Sequence, residues 1–171
     1  MINGNDFREK YKPILQSINT PRYVYKTADI NCALLQGEDI KTHVKGCGEI
    51  IIFAATLGFQ ADELIRRTEA YDMAGAVVLD ALASELIEKA CDEAEVEIRA
   101  KYKKITARFS PGYGDFPLEV QGGLLLFLGA KKRIGLYANE NNLLIPRKSV
   151  TAVIGVKTQV VKPPALPAKR E

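Results

Sequence analysis

The densest chemistry in this chain lies in Arg108-Phe109-Ser110-Pro111-Gly112-Tyr113-Gly114-Asp115-Phe116-Pro117. Pro111 and Pro117 lack amide donors and fix φ, so little of the run suits a regular element. Pro111 also pushes Ser110 towards extended backbone. Gly112 and Gly114 permit positive φ and let another molecule approach the main chain closely. Arg108 offers a rigid donor fork suited to a carboxylate or phosphate, and Tyr113 offers a flat ring. Two readings fit these residues: a packed turn between two elements, or a cradle for a small polar ligand.

Other reactive side chains do not assemble into a catalytic set. Cys47 lies between two glycines and four positions after His43, so a helix would put the pair on one face. No orienting carboxylate is evident for a Cys–His nucleophile, and His43 is most simply a surface helix residue. Asp115 and Glu119 are four apart, but a paired-carboxylate hydrolase needs a defined gap across its substrate. Glu119 reads instead as a charge at a helix N-terminus, and Cys91 as a core thiol. Tyr102, Tyr113 and Tyr137 suit either base stacking or packing. Nucleophile, base and oxyanion donors never come together, which points to ligand binding rather than self-sufficient catalysis.

The elements that must position the 108–117 run follow from periodicity. Residues 21–25 read as a strand. Gly37-Glu38-Asp39 is a turn leading into a short helix that stops at Gly46. Residues 49–55 carry β-branched side chains on both faces, the pattern of a strand covered on both sides. After Thr56-Leu57-Gly58, a helix extends to about Tyr71.

The longest helix begins near Asp72 and ends near residues 101–103, with Ala76, Leu79, Ala83, Leu86, Ala90 and Ala94 as its buried stripe. Residues 105–109 form a short strand into the motif. Residues 118–128 are helical despite Gly122 and Gly123, a pair that costs about 1 kcal/mol each against Ala and so implies close packing. Residues 136–145 read as a hairpin with a long loop, and 148–156 as a strand.

At the N-terminus, Asn5 caps a helix bearing Phe7, Tyr11, Ile14 and Ile18, which Pro13 should interrupt or kink. The sum is an α+β fold with a mixed, mostly antiparallel twisted sheet and packed helices. It divides into an N-terminal helical segment (1–20), a core (21–157) and a Pro-rich basic tail (158–171) that is extended or disordered.

A chain of 171 residues suits one domain, and a net charge of +3 argues against a nucleic-acid partner, because neither 101–104 nor 131–133 belongs to a broad basic, aromatic-bearing stripe. The three cysteines are odd in number and widely spaced, and there is a single histidine, so no disulfide framework or metal site is expected. The longest apolar run, 50–55, is far too short to span a membrane. No secretory leader pattern opens the chain, and a cytoplasmic location is expected.

The 108–117 run resembles the signature of the activation (reactivation) domain of vitamin B12-dependent methionine synthase, in its compact stand-alone form. Three further stretches carry the resemblance: residues 53–58 with Leu64-Ile65-Arg66-Arg67, residues 72–81, and residues 145–155. They occur in family order across roughly residues 21–157. The resemblance implies an S-adenosylmethionine site, with Arg108 holding the ligand, the Ser110, Pro111 and Gly112 backbone bonding its adenosine and methionine parts, and Tyr113 as the aromatic. Glu85 and Glu88 are the candidates for the family's acidic contact on the long helix.

It also implies reductive reactivation of a cobalamin carried by a separate corrinoid-binding methionine synthase, with a flavodoxin-type electron donor. S-adenosylmethionine is then the ligand and cobalamin the partner's cofactor. The chain lacks the cobalamin, homocysteine and folate modules, so it would act in trans. The family's N-terminal aspartate contact and C-terminal tyrosine pair have no counterpart. Two other functions stay open: a corrinoid-protein scaffold that does not bind S-adenosylmethionine, and a small methyltransferase acting on another acceptor.

Overall fold

The computed structural model describes residues 4–18 and 20–158. Of the tail expected from 158 onward, Thr158 alone falls among them, and the side chains of Asn5, Phe7 and Ile18 are likewise outside the described set. The elements in chain order are α1 (Gly4–Ile18), β1 (Arg22–Asp29), α2 (Glu38–His43), β2 (Cys47–Thr56), α3 (Phe59–Glu69), α4 (Met73–Tyr102), α5 (Val120–Leu128), α6 (Ala130–Ile134), β3 (Tyr137–Ala138), β4 (Leu144–Ile145) and β5 (Ser149–Lys157).

The β-branched run becomes the centre of the molecule. β2 lies between β1 and β5, antiparallel to both, from Arg22↔Thr56 to Asp29↔Glu49 on one side and from Cys47↔Lys157 to Thr56↔Ser149 on the other. Side chains alternate across a strand. Ile51, Phe53 and Ala55 therefore face α1, α3 and α4, where they meet Leu15, Ile65, Leu79 and Ala94. Ile50, Ile52 and Ala54 face α2, α5 and α6, where they meet Ile40, Leu124, Leu128 and Ile134. Antiparallel sheets commonly leave one face to water; here helices cover both, so β2 reads as an unbroken apolar run. The α+β expectation with a mostly antiparallel sheet holds.

α4 is capped as the sequence indicates, with Asp72 Oδ1 accepting the Gly75 amide at 2.8 Å. Its buried face is wider than the expected stripe, because Leu82, Ile87, Cys91 and Ile98 are also buried while Leu86 is only half-buried. Pro13 does not interrupt the first helix, contrary to expectation: α1 continues through it. Tyr11 and Leu15, both 2% exposed, anchor either side of Pro13 in the core, and the Tyr11 hydroxyl donates to Asp72 at 2.7 Å. That packing outweighs the one hydrogen bond the proline removes.

The stretch expected as a strand at 105–109 instead touches β5 at two isolated antiparallel bridges, Ile105↔Val156 and Phe109↔Val153. Between them the Gly155 amide donates to Thr106 Oγ1 rather than to a backbone carbonyl (2.8 Å), which interrupts the ladder. The stretch still covers the open edge of β5. The Gly122–Gly123 pair splits in role. A Cβ on Gly123 would lie 2.6 Å from Leu34, so close packing explains that glycine, whereas a Cβ on Gly122 would meet nothing within 4 Å. Buried Gln121 ties α5 to its surroundings, accepting from Thr151 at 2.8 Å and donating to the Asn142 carbonyl at 2.6 Å.

Candidate functional site

The sheet edge decides where the motif's side chains go. Phe109 and Val153 exchange both backbone hydrogen bonds, at 2.9 and 2.8 Å. Neighbours on an extended segment point to opposite sides, so Arg108 turns towards α4 while Phe109 turns towards α2. Arg108 Nη2 donates to Asp92 Oδ1 at 2.9 Å and to Glu88 Oε2 at 3.1 Å. The guanidinium side chain is 20% exposed, against 60% for Glu88 and 68% for Asp92. Its Nη1 is buried and has no hydrogen-bond partner among the described residues. One cation and two carboxylates leave this cluster with a net charge of −1. On the same helix, burial pushes the Cys91 thiol up to about 12 against the opposing pull of Arg108, so Cys91 stays a neutral core thiol.

Beyond Phe109 the chain turns back on itself. The Gly112 amide donates to the Phe116 carbonyl at 2.8 Å, the Phe116 amide to Tyr113 at 3.0 Å and the Tyr113 amide to Ser110 at 3.2 Å. The turn needs φ of +92° at Gly112 and +54° at Gly114, which glycine adopts without strain. Phe116 is 1% exposed and packs on Phe109, with ring centroids 6.1 Å apart. Tyr113 is left 65% exposed.

A reciprocal clasp fixes the far end of the turn. Asp115 Oδ2 and Oδ1 accept the Glu38 and Asp39 amides at the start of α2, at 2.7 and 2.9 Å. Asp39 Oδ2 in return accepts the Asp115 amide at 3.1 Å. The approach is close enough that a Cβ on Gly37 would sit 2.5 Å from Asp115 Oδ1, and one on Gly114 would overlap the Asp39 carboxylate. The amides of Glu38 and Asp39 hold the Asp115 carboxyl below its usual 3.8.

A depressed folded pKa means the clasp contributes fully above the ordinary carboxylate range and is lost as pH falls through the folded value. Thermal melts from about pH 7 down to about pH 2 should therefore show wild type losing stability more steeply at the acid end than Asp115→Asn. Parallel curves would mean that ionised Asp115 does not hold the loop.

His43 lies on α2 as a half-buried helix residue, with partners that the sequence did not indicate. Its Nε2 is 2.8 Å from the Ala107 carbonyl and its ring lies 4.9 Å from that of Phe109. With Asp39, Thr42, Phe109, Tyr113 and Gly114 it lines a shallow concavity of about 440 Å³. No hydrogen bond joins His43 to Cys47 among the described residues, and burial raises the Cys47 thiol, which makes it a poor nucleophile. No group of three or more His, Cys, Asp and Glu among the described residues could hold a metal ion.

The structure thus places Arg108 beside Glu88, and Tyr113 on the α2 side with His43. Glu85 is engaged elsewhere, accepting from Arg8 Nη2 of α1 at 2.5 and 2.6 Å. Sequence reasoning missed Asp92 and the contacts of His43. Asp92 could have been found, because it follows Glu88 by four residues and shares its helix face. The contacts of His43 are with residues more than sixty positions away, for which no local pattern exists.

No protein-family model and no curated protein matches the chain. Among solved structures, the crystal structure of the MetH reactivation domain bound to AdoHcy aligns with a TM-score of 0.68 over 94% of this chain, at 18% sequence identity. The chain spans 65% of the length of that one. It has the fold of the MetH reactivation domain, the architecture its 108–117 run and three companion stretches resemble.

Proposed function

We propose that this chain is a reactivation module. It binds S-adenosylmethionine around Arg108, Ser110, Pro111, Gly112 and Tyr113, and presents it to a cobalamin carried by a separate corrinoid-dependent methionine synthase. The observation that carries this reading is the buried, unpartnered Nη1 of Arg108, whose Nη2 is held by two carboxylates. A buried donor without an acceptor costs stability, and the carboxylate of an amino acid supplies one in the geometry a guanidinium prefers. Glu88 and Asp92 suit the ammonium and sulfonium charges of the same ligand. The similarity in fold to a domain bound to AdoHcy supports the ligand class.

Cobalamin, when the partner brings it, supplies the nucleophilic metal. The residues here therefore need only bind and orient the methyl donor. We place the chain in the cytoplasm with a flavodoxin-type donor. No helix among the described residues is long and apolar enough to cross a membrane.

One observation favours a second reading, a corrinoid-protein scaffold without S-adenosylmethionine: Nη2 of Arg108 is already satisfied by Glu88 and Asp92. Calorimetric titration separates the two. The module binds S-adenosylmethionine, and more tightly than S-adenosylhomocysteine, because the extra sulfonium charge meets a cluster of net charge −1. Absence of heat and of thermal stabilisation, with and without the corrinoid synthase, would leave only the scaffold. Methyl transfer to another acceptor without cobalamin would instead make the chain an independent methyltransferase.

A further inference from the structure

We infer that the concavity between α2 and the 109–114 turn recognises a proline-rich, basic segment in polyproline II form, and that residues 163–170 of this same chain occupy it. Tyr113 is 65% exposed, and its hydroxyl makes no hydrogen bond among the described residues. Between ring centroids, Phe109 lies 6.3 Å from Tyr113 and 4.9 Å from His43, so three rings stand in a row. Such a row suits proline rings, and a hydroxyl at its rim suits the carbonyls that a polyproline II helix leaves unbonded.

The chain carries a segment of that kind. Lys162-Pro163-Pro164-Ala165-Leu166-Pro167-Ala168-Lys169-Arg170 follows β5, and the proposed function makes no use of it. At three residues per turn, Pro164, Pro167 and Arg170 share one side of a polyproline II helix. Charge agrees. The concavity is lined by one carboxylate, Asp39, and by no lysine or arginine, so Lys169 and Arg170 complement it.

Reach agrees as well. The Lys157 amide donates to the Lys104 carbonyl at 3.0 Å, and a Cβ on Gly48 would stand 3.0 Å from Thr158 Oγ1. The segment therefore leaves the sheet where α2 gives way to β2. Phe109 is five residues beyond Lys104, about 17 Å along an extended segment, and the six steps from Thr158 to Pro164 cover up to about 20 Å. A tether this short gives the segment an effective concentration on the order of millimolar.

Tyr113 belongs to the proposed S-adenosylmethionine site as well, so the docked segment and the ligand compete for one ring. That consequence, unlike the docking itself, rests on the proposed function. Arg108 points to α4, away from the concavity, so the cluster that holds the methyl donor stays open to the partner's cobalamin.

The test is heteronuclear amide NMR of the full chain, with calorimetric titration of S-adenosylmethionine, on wild type, Pro164→Ser/Leu166→Ser/Pro167→Ser and Thr42→Arg. Thr42 is an exposed lining residue, and an arginine there opposes Lys169 and Arg170. The triple variant should shift the Asp39, Thr42, Tyr113 and Gly114 amides, and Thr42→Arg should shift those of Leu166 and Ala168. S-adenosylmethionine should bind the triple variant about three- to tenfold more tightly, the factor for freeing a site that a competitor fills about 70–90% of the time.

Unmoved amides at the concavity in the triple variant overturn the docking. Shifts that vary with protein concentration assign the concavity to the segment of a second copy and overturn it too. Moved amides with unchanged ligand affinity keep the docking and overturn the competition. If neither protein binds the ligand, the proposed function fails, while the amide shifts still decide the docking.

Discussion

Arg108→Ala should weaken S-adenosylmethionine binding by about 10- to 100-fold, the equivalent of about 1.5–3 kcal/mol for hydrogen bonds to a charged group. The loss should come with little change in stability. Glu88 and Asp92 are 60% and 68% exposed, so water and salt screen the ion pairs that Arg108 makes with them. Removing a buried Nη1 that has no partner also relieves a desolvation cost.

Arg108→Lys should not restore affinity, because an ammonium cannot reproduce the planar two-nitrogen fork. Glu88→Gln/Asp92→Asn should act differently. It keeps carboxylate recognition by Arg108 but erases the preference for S-adenosylmethionine over S-adenosylhomocysteine. Calorimetry on these variants checks both statements; an Arg108→Ala variant that binds as well as wild type removes the site from this segment.

Phe116→Ala should cost about 3–5 kcal/mol of folding stability, the range for truncating a buried aromatic. Phe116 is among the largest fully buried side chains and stands beneath the turn, against Phe109 on one side and the α2–α5 core on the other. Its backbone closes the turn to Gly112 and Tyr113, and the variant keeps those bonds while losing the ring that seats them. S-adenosylmethionine at saturating concentration should recover part of the loss, because a ligand that binds the folded state stabilises it by mass action. Urea unfolding with and without ligand measures both effects. A loss below about 1 kcal/mol would mean that the Asp115–α2 clasp holds the loop unaided.

By itself the sequence determined the features that depend on local spacing. The β-branched density of 49–55 announced a strand covered on both faces, because only helices on both sides make such a run soluble. Asp72 and the three- and four-residue apolar steps after it announced α4. The two prolines and two glycines of 108–117 announced a turn that no regular element accommodates. Arg108 stood out by residue type and by resemblance, and Glu88 by resemblance alone.

Tertiary structure alone decided what lies against what. Pro13 sits inside a continuous helix because the core holds Tyr11 and Leu15. The 105–109 stretch keeps its backbone bonds to Gly155 and Val153 but gives up one ladder bond to the Thr106 side chain. Asp115, one carboxylate among many in the sequence, becomes the clasp for a helix that starts seventy-seven positions earlier. Glu85 and Glu88 lie three residues apart on one helix, yet they are drawn to Arg8 and Arg108 respectively. The physical reason is common to all four. A side chain's type and its neighbours in sequence fix what it can bond, but the partner it finds depends on elements distant in the chain, whose arrangement only the packed sheet and its two helical layers determine.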